Sequence, residues 1–379
     1  MIPMDPGPIN PVRKAAGQAW KPQDRRKVWE WCEENVYAEP NSPMPGKWRS
    51  DNSPWAREFL EEWSNNAVRE IAVMCSAQSS KTSTILCGLM WSIAEDPGPT
   101  MWVTSNAEQA QEDVRDRFGP SFQRCKAVRD LIIEKKVLDF QFTSMPLYFI
   151  GAGSEAKLQS KPIRWLILDE VRNYPEGAVE TVQKRTRAFW NSRKIIISTP
   201  GNLNDAVHRA YLAGDQRVYH ASCPKCHALQ ALKFQQLVAV NPETGERCRF
   251  GEVPGARDGQ AWNFDALADH IRYQCISCGF LIRDTPANRK WMAKHGRFIR
   301  TNPKAPRNRV SFHWNALLPF WVTWRSIVEE FLLAQDAARK GDTNPLRIFV
   351  TETLGEPWED RLGEIDDFGF LDARKDPYK

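Results

Sequence analysis

Two adjacent acids, Asp169 and Glu170, follow an apolar run at 166–168 that is typical of a strand buried on both faces. An acid at the end of such a strand is well placed to hold Mg²⁺ against nucleotide phosphates. A second acid beside it can orient and deprotonate a water molecule. We therefore predict that Asp169 is the Mg²⁺ ligand and Glu170 the general base. The alternative for this stretch alone is a strand that ends in solvated acids.

A small-residue turn upstream has the context of a phosphate-binding P-loop, because it lies between a predicted strand at 71–75 and a helix-like run at 84–93. Backbone N–H groups of the turn would cradle phosphate, Lys81 would reach the β- and γ-phosphates, and the Thr82 hydroxyl would bind Mg²⁺. Cys75 and Ser80 stand where glycines are usual. The alternative is that Lys81 is a solvated lysine at a helix start. The predicted nucleotide-binding residues are Ser76, Ala77, Gln78, Ser79, Ser80, Lys81, Thr82, Ser83 and Asp169.

A third element follows the acids. The apolar run at 195–197 leads into Ser198 and Thr199, and then into Pro200 and Gly201. Two hydroxyls at the end of a buried strand can sense the γ-phosphate and couple hydrolysis to movement. The alternative is an ordinary strand exit, which the order of all three elements disfavours.

Four of the nine cysteines form two Cys-x-x-Cys pairs. Each pair offers two thiolates at one tight turn, and four such sulfurs suit tetrahedral Zn²⁺. We predict an insertion at 235–273 between the pairs, which loop-closure entropy tolerates. The alternative is that these are buried cysteines without metal, and we expect His227 to be a bystander. The predicted zinc ligands are Cys223, Cys226, Cys275 and Cys278. The remaining cysteines, predicted to be ordinary thiols, are Cys32, Cys75, Cys87, Cys125 and Cys248.

Composition fits an intracellular enzyme. The chain has 379 residues and a net charge of +5, with no apolar run of membrane-spanning length and no signal-peptide pattern at its start. The segment 283–309 carries nine Lys or Arg residues and a single acid, Asp284, interleaved with Trp291 and Phe298. Such a segment would either track a phosphate backbone or form a solvated basic face.

Strand-like and helix-like segments alternate from residue 71 to 198, which predicts an α/β fold with a parallel sheet covered by helices on both faces. The predicted helices lie at 25–36, from 54 onwards, 107–118, 179–190, 324–340 and 344–354. The predicted divisions are an N-terminal arm (1–50), a P-loop ATPase core (51–218), a zinc-ribbon-like subdomain with an insertion (219–312), C-terminal helices (313–360) and a linker (361–379).

These motifs, in this order, resemble the lambda-type GpA family of large terminase subunits of tailed bacteriophages. The resemblance covers the residues 76–82, 161–171 and 198–200, both cysteine pairs, and the stretches 310–317 and 354–358. It implies a P-loop NTPase of the ASCE/RecA-like type. In this family an aromatic residue lies against adenine at the position of Trp55, although core packing is an alternative. An arginine finger is also implied, with Arg185 and Arg187 as candidates.

The resemblance implies an ATP hydrolase that uses ATP and Mg²⁺ and translocates double-stranded DNA into the procapsid through the portal. It also implies a small terminase subunit as partner, a homo-oligomeric ring with five subunits, and action in the host cytoplasm, transiently at the portal and not in the mature virion. We expect the family's nuclease domain to be absent from this chain or encoded separately, so that the chain hydrolyses ATP but does not cut DNA unaided.

Two rival functions share part of these motifs. A superfamily 2 type helicase or translocase has the same order of elements but requires a second RecA-like domain, which the residues after 220 do not resemble. A non-catalytic zinc-ribbon adaptor for nucleic acid would show no Mg²⁺-dependent affinity for ATP and no effect of Lys81→Ala.

Overall fold

The computed structural model describes residues 26–39, 42, 44–158, 161–259 and 261–359. The chain divides into two compact units. The first unit contains Met1–Arg49, Leu60–Glu70 and Thr82–Ile196, and the second contains Ser50–Phe59, Ile71–Lys81 and Ile197–Lys379. Most of the predicted N-terminal arm and the predicted linker at 361–379 lie outside the described residues, and the predicted domain boundaries stay predictions.

The described residues form α-helices and β-strands that we number in chain order. The α-helices are α1 (Val28–Asn35), α2 (Ala56–Ser64), α3 (Lys81–Glu95), α4 (Ala107–Glu112), α5 (Gly119–Arg124), α6 (Lys126–Arg129), α7 (Glu155–Leu158), α8 (Ala178–Gln183), α9 (Ala206–Ala213), α10 (Phe264–Ala268), α11 (Pro286–Lys294), α12 (Trp324–Arg339) and α13 (Asn344–Ile348). The strands are β1 (Glu70–Cys75), β2 (Thr100–Thr104), β3 (Ile132–Lys135), β4 (Asp139–Phe142), β5 (Pro146–Gly151), β6 (Trp165–Asp169), β7 (Arg193–Ser198), β8 (Arg217–Ser222), β9 (Leu229–Ala231), β10 (Leu237–Val240), β11 (Arg247–Cys248), β12 (Arg257–Asp258), β13 (Ala261–Trp262), β14 (Ile271–Gln274), β15 (Leu281–Arg283), β16 (Arg297–Arg300) and β17 (Arg309–Trp314).

The first unit contains a sheet with the order β7-β6-β2-β5-β4-β3. Strand β2 is parallel to β5 and β6, whereas β3, β4 and β5 pair antiparallel. Every residue of β2 and β6 is buried, as expected for parallel strands covered on both faces. An aromatic cluster packs beside them, with Trp102 and Phe118 ring centroids 4.6 Å apart and Phe118 and Phe149 4.7 Å apart.

The second unit contains the strand order β16-β8-β17-β1, with β9 paired to β8. Strands β8 and β17 are parallel, while β16 runs antiparallel to β8. A separate sheet has the order β11-β10-β14-β15. Helix α12 is capped by Thr323 and buries an apolar face, where Phe331 contacts both Phe234 and Phe349 at 4.4 and 5.3 Å between ring centroids.

The predicted α/β fold with a parallel sheet and C-terminal helices is confirmed. The predicted helix at 179–190 is shorter than expected, because α8 ends at Gln183 and a 3₁₀ turn, Lys184–Ala188, follows it. The helical segments predicted at 107–118 and 344–354 each continue from an α-helix into a π-helical stretch, Asp113–Phe118 and Phe349–Thr353. Within the described part of the chain, none of the helices has both the length and the apolar character needed to span a membrane.

Candidate nucleotide and metal sites

The predicted P-loop turn connects β1, which ends at Cys75, to α3, which begins at Lys81. Residues 76–81 belong to the second unit. Gln78 and Ser80 have positive φ angles of 50° and 66°. This left-handed backbone is disfavoured for residues with a Cβ atom, which explains why glycine is usual where Ser80 stands. The turn therefore has left-handed backbone at two positions, neither of which is a glycine.

Two backbone N–H groups at the start of the turn already have protein acceptors. Ser76 donates to the carbonyl of Trp314 at 3.2 Å, and Ala77 donates to the carbonyl of Glu352 at 2.7 Å. Gly355 lies against the same backbone, since a Cβ atom there would be 2.6 Å from the Ser76 nitrogen. The prediction that the N–H groups of Ser76 and Ala77 cradle phosphate does not fit this arrangement, because both already donate to protein carbonyls. For the later residues of the turn, phosphate binding by the backbone stays a prediction.

Three indole N–H groups donate to the other side of the turn. Trp55 donates to the Ser79 carbonyl at 3.2 Å, Trp314 to Ser79 Oγ at 2.8 Å, and Trp321 to the Gln78 carbonyl at 3.0 Å. Trp55 is 1% exposed, which agrees with the packing alternative, and its adenine contact stays a prediction. The contacts of Trp314 and Trp321 were not predicted, although Trp314 lies within one of the stretches that carry the family resemblance.

Helix α3 continues the motif in the first unit, where Thr82 is half-buried in the first turn. The Ser83 hydroxyl donates to Glu39 Oε1 at 2.9 Å, and Arg117 Nε donates to Glu39 Oε2 at 2.9 Å. Glu39 thus connects the start of α3 to the π-helical stretch. Sequence reasoning missed Glu39 and Arg117, because neither lies in a recognisable motif.

The acid pair lies where the pattern predicted it, at the end of β6 in the first unit. Asp169 is 4% exposed, and Glu170 has a positive φ of 57°. Strained backbone of this kind concentrates at functional sites. The nearby Tyr174 hydroxyl donates to the Val103 carbonyl at 2.6 Å. Burial and the negative charges of Asp169 and Glu170 raise the pKa of Tyr174 well above its usual value, so this phenol stays protonated beside the acids.

Ser198 is the last residue of β7 and Thr199 follows it. Both belong to the second unit and are fully buried, with 0% and 1% exposure. Thr199 Oγ1 and Ser76 Oγ, both in this unit, have no hydrogen-bond partner within the described residues. Buried hydroxyls are usually paired, and unpaired ones are frequently completed by a ligand or water. Both residues therefore fit a site that receives a polar ligand such as a nucleotide phosphate.

The four predicted zinc ligands come together. The Sγ atoms of Cys223, Cys226, Cys275 and Cys278 all lie within 4.8 Å of one another. The Cys223–Cys278 and Cys226–Cys275 sulfur distances are 3.9 and 3.8 Å. Zn–S bonds of about 2.3 Å in a tetrahedron place the sulfurs about 3.8 Å apart. The donor set and its spacing thus fit Zn²⁺.

The two cysteine pairs occupy equivalent hairpin tips, one between β8 and β9 and the other between β14 and β15. In the first, the His227 N–H donates to the Cys223 carbonyl at 2.9 Å; in the second, the Gly279 N–H donates to the Cys275 carbonyl at 3.0 Å. His227 and Gly279 both have positive φ, 61° and 68°. His227 therefore serves as the turn residue of its hairpin, and its role as a bystander to the metal stays a prediction.

The environments of the thiols differ within one pair. A hydrogen bond from the Ala228 N–H lowers the pKa of Cys226 to about 7, whereas burial raises the pKa of Cys223 to about 12. Only a deprotonated thiol binds a metal ion. Because its pKa is lowered, the exposed Cys226 supplies a thiolate near neutral pH. The buried Cys223 requires a bound cation to favour its thiolate form.

Comparison with known proteins shows the family to which this chain belongs. Residues 42–298 match the model described as phage terminase large subunit gpA, ATPase domain. The chain belongs to the gpA family of phage terminase large subunits. Residues 309–379 match the model described as terminase large subunit gpA, endonuclease domain. The expectation that the nuclease domain is absent from this chain is therefore wrong, because the endonuclease model matches the residues assigned to C-terminal helices and a linker, together with the last four residues of the predicted zinc-ribbon-like subdomain.

Two curated relatives support the family. The chain is 24% identical to the terminase large subunit of Escherichia phage lambda, over 97% of this chain and 58% of the relative. It is 22% identical to that of Enterobacteria phage P21, over 88% of this chain and 53% of the relative. The chain thus spans about half the length of these relatives. Among solved structures, the large terminase ATPase domain of Thermus phage P74-26 is 12% identical with a TM-score of 0.42, covering 79% of this chain and 97% of that one.

The arginine candidates of this gpA-family chain both lie in the 3₁₀ turn after α8. Arg185 is half-buried, and its carbonyl accepts the Ile163 N–H at 3.1 Å. Arg187 is exposed. The exposed side chain is the freer of the two to reach another molecule, and the assignment of an arginine finger stays a prediction.

The basic segment of this gpA-family chain is not a uniform charged face. Arg289 is 2% exposed and donates to Asp284 at 2.8 Å and to the carbonyls of Leu317 and Pro319, both at 2.7 Å. This arginine is structural. Contact of the segment with a phosphate backbone stays a prediction for its exposed residues. These are Arg283, Lys290, Lys294, Arg297, Arg300, Lys304, Arg307 and Arg309.

Proposed function

We propose that this chain is the ATP-hydrolysing motor part of a phage terminase, which drives double-stranded DNA through the portal into the procapsid. The observation that carries the proposal is the strand–turn–helix from β1 to α3, with Lys81 at the helix start and a left-handed residue directly before it. The match of residues 42–298 to the gpA ATPase-domain model also supports the proposal.

Each predicted residue has a defined role in this proposal. Lys81 neutralises the β- and γ-phosphates, while Thr82 and Asp169 would hold the Mg²⁺ ion, which supplies charge neutralisation when bound. Glu170 accepts a proton from the attacking water. Ser198 and Thr199 present buried hydroxyls that sense the γ-phosphate. The four clustered cysteines would hold one structural Zn²⁺ ion, which ties the β8–β9 hairpin to the β14–β15 hairpin.

Partners follow from family membership and remain part of the proposal. They are double-stranded DNA, the portal of the procapsid, a small terminase subunit and further copies of this chain in a ring of five. The site of action is the host cytoplasm, transiently at the portal. The rival helicase and adaptor functions are disfavoured, since the gpA models match residues 42–298 and 309–379 in turn.

The test is Glu170→Gln, which removes the proposed base and keeps the adjacent Mg²⁺ ligand. We expect steady-state ATP turnover to fall by about 100-fold or more, while binding of MgATP is retained. Glu176→Gln is the matched control, because this exposed glutamate lies six residues further on and has no proposed role. Near-native hydrolysis by Glu170→Gln would show that another group is the base.

DNA cleavage is a second candidate activity, favoured by the endonuclease-domain match at 309–379. Nuclease sites of this kind need carboxylates around metal ions. Mg²⁺- or Mn²⁺-dependent nicking of plasmid DNA by the chain would support it. Intact plasmid in both metals would leave ATP hydrolysis as the activity of this chain.

A further inference from the structure

The P-loop turn is held by donors from three separate parts of the second unit. Trp55 lies directly before α2, Trp314 ends β17 and Trp321 lies shortly before α12. Their indole N–H groups point at Ser79 and at the Gln78 carbonyl, as described above. We call these three tryptophans the indole clamp.

The contact made by Trp314 closes the turn internally. Its N–H donates to Ser79 Oγ at 2.8 Å, and that hydroxyl donates in turn to the Ser76 carbonyl at 2.8 Å. Ser79 and Ser76 are both fully buried. A buried chain of hydrogen bonds fixes each member, because an unmade bond would leave a polar group desolvated.

The next residue receives an outside contact as well. The Ser53 hydroxyl donates to Ser80 Oγ at 3.0 Å. Ser80 and Gln78 both adopt the left-handed conformation, which a residue with a Cβ atom leaves readily unless its surroundings fix it. Gln78 and Ser80, the two residues of the turn with left-handed backbone, thus each accept a hydrogen bond from a side chain outside the turn.

We infer that Trp314, assisted by Trp55 and Trp321, is a positioning residue that holds a glycine-free P-loop turn in its phosphate-binding shape. The inference rests on the proposed function. In other P-loops a glycine adopts the left-handed backbone without strain. Here the hydrogen bonds from the indole N–H groups stabilise that backbone instead. The clamp binds Ser79 and the carbonyl of Gln78, whereas phosphates are bound by backbone N–H groups of such a turn.

The experiment compares Trp314→Phe with the double variant Trp314→Phe/Ser80→Gly. We expect Trp314→Phe to raise the Kd for MgATP by about 3- to 10-fold, since it removes the buried N–H donor that contacts both Ser79 Oγ and the Ser79 carbonyl. Glycine at position 80 adopts the left-handed conformation without strain. Ser80→Gly should therefore restore most of the affinity in the double variant. A merely structural tryptophan predicts no such rescue.

Trp324→Phe is the matched control. Trp324 is also fully buried, and its N–H donates to the Leu317 carbonyl at 3.3 Å, which is not part of the turn. We expect this variant to lose thermal stability without a change in Kd for MgATP. If Trp314→Phe does not fold, the half-exposed Trp321→Phe removes the N–H contact to Gln78 with less loss of core packing.

Hydrogen exchange of the nucleotide-free protein separates this inference from the proposed function. Faster amide exchange at residues 76–81 in Trp314→Phe, reversed by Ser80→Gly, is the expected result. Unchanged exchange there, or an equal loss of MgATP affinity with and without Ser80→Gly, overturns the inference. Absence of MgATP binding by the unmodified protein refutes the proposed function, and the exchange measurement then decides the clamp by itself.

Discussion

Removal of one sulfur from the cysteine cluster gives the sharpest test of the metal site. In Cys275→Ser a hydroxyl replaces a sulfur atom that lies 3.8 Å from the sulfur of Cys226, and Cys275 is only 2% exposed. A neutral hydroxyl is a poor zinc ligand, so one corner of the tetrahedron is lost. We expect bound zinc to fall from about one ion per chain to well below one.

The stability effect follows from the energy of zinc binding. Structural zinc contributes about 10–16 kcal/mol in small zinc-binding peptides near neutral pH. Loss of only a quarter of that is about 3 kcal/mol, which for a unit of this size lowers the unfolding midpoint by roughly 6–12 °C. The β8–β9 and β14–β15 hairpins should unfold first, because the cluster lies at both of their tips.

The assay is metal analysis of the purified protein together with thermal unfolding before and after treatment with a chelator. Cys248→Ser is the matched control, since Cys248 is a half-buried cysteine outside the cluster and should leave zinc content and midpoint unchanged. A well-folded preparation of the unmodified protein that contains no zinc and does not respond to the chelator would refute the reasoning.

Two further predictions concern the second unit. Gly355→Ala should destabilise the protein by about 1–3 kcal/mol more than Gly341→Ala, because both glycines have positive φ but only at Gly355 would a Cβ atom meet the Ser76 backbone, at 2.6 Å. Urea unfolding of the two variants measures the difference, and equal losses would contradict the close packing. Burial lowers the pKa of three histidines below the usual value, namely His208, His220 and His313. Their unfolded forms bind protons more readily, so the free energy of unfolding should fall as the pH drops below about 6.5. Unfolding curves at pH 7.5, 6.5 and 5.5 check this, and a stability that rises on acidification would contradict it.

Local patterns predicted the elements that carry the proposed site residues. The apolar run before Asp169, the turn before Lys81 and the two Cys-x-x-Cys pairs are each decided by residues within a few positions, and the structure has a strand end, a helix start and two hairpin tips there. The sulfurs of the two pairs lie together although 48 residues separate the pairs in sequence, as expected if one tetrahedral donor set needs both pairs.

The contacts that complete the site come from distant residues, and periodicity does not reveal them. Trp314 and Ser79 are separated by 235 positions, and Glu39 and Arg117 by 78. A tryptophan at the end of an apolar strand has the same pattern whether it packs in a core or donates to a P-loop. Likewise, the mostly exposed strand β3 has no burial pattern that distinguishes it from a loop, and the antiparallel β3–β4 pair was missed.

The hydrogen bonds between the turn at residues 76–79 and the residues Trp314 and Glu352 bear on how genes of this family recombine. The ATPase model ends at residue 298 and the endonuclease model begins at 309, yet both of these partners lie on the endonuclease side of that junction. A hybrid gene joined there would combine the P-loop turn of one phage with the supporting indole and carbonyl groups of another. Crossovers placed beyond residue 358 would keep the original partners together, so we expect functional hybrids to be enriched for junctions on that later side.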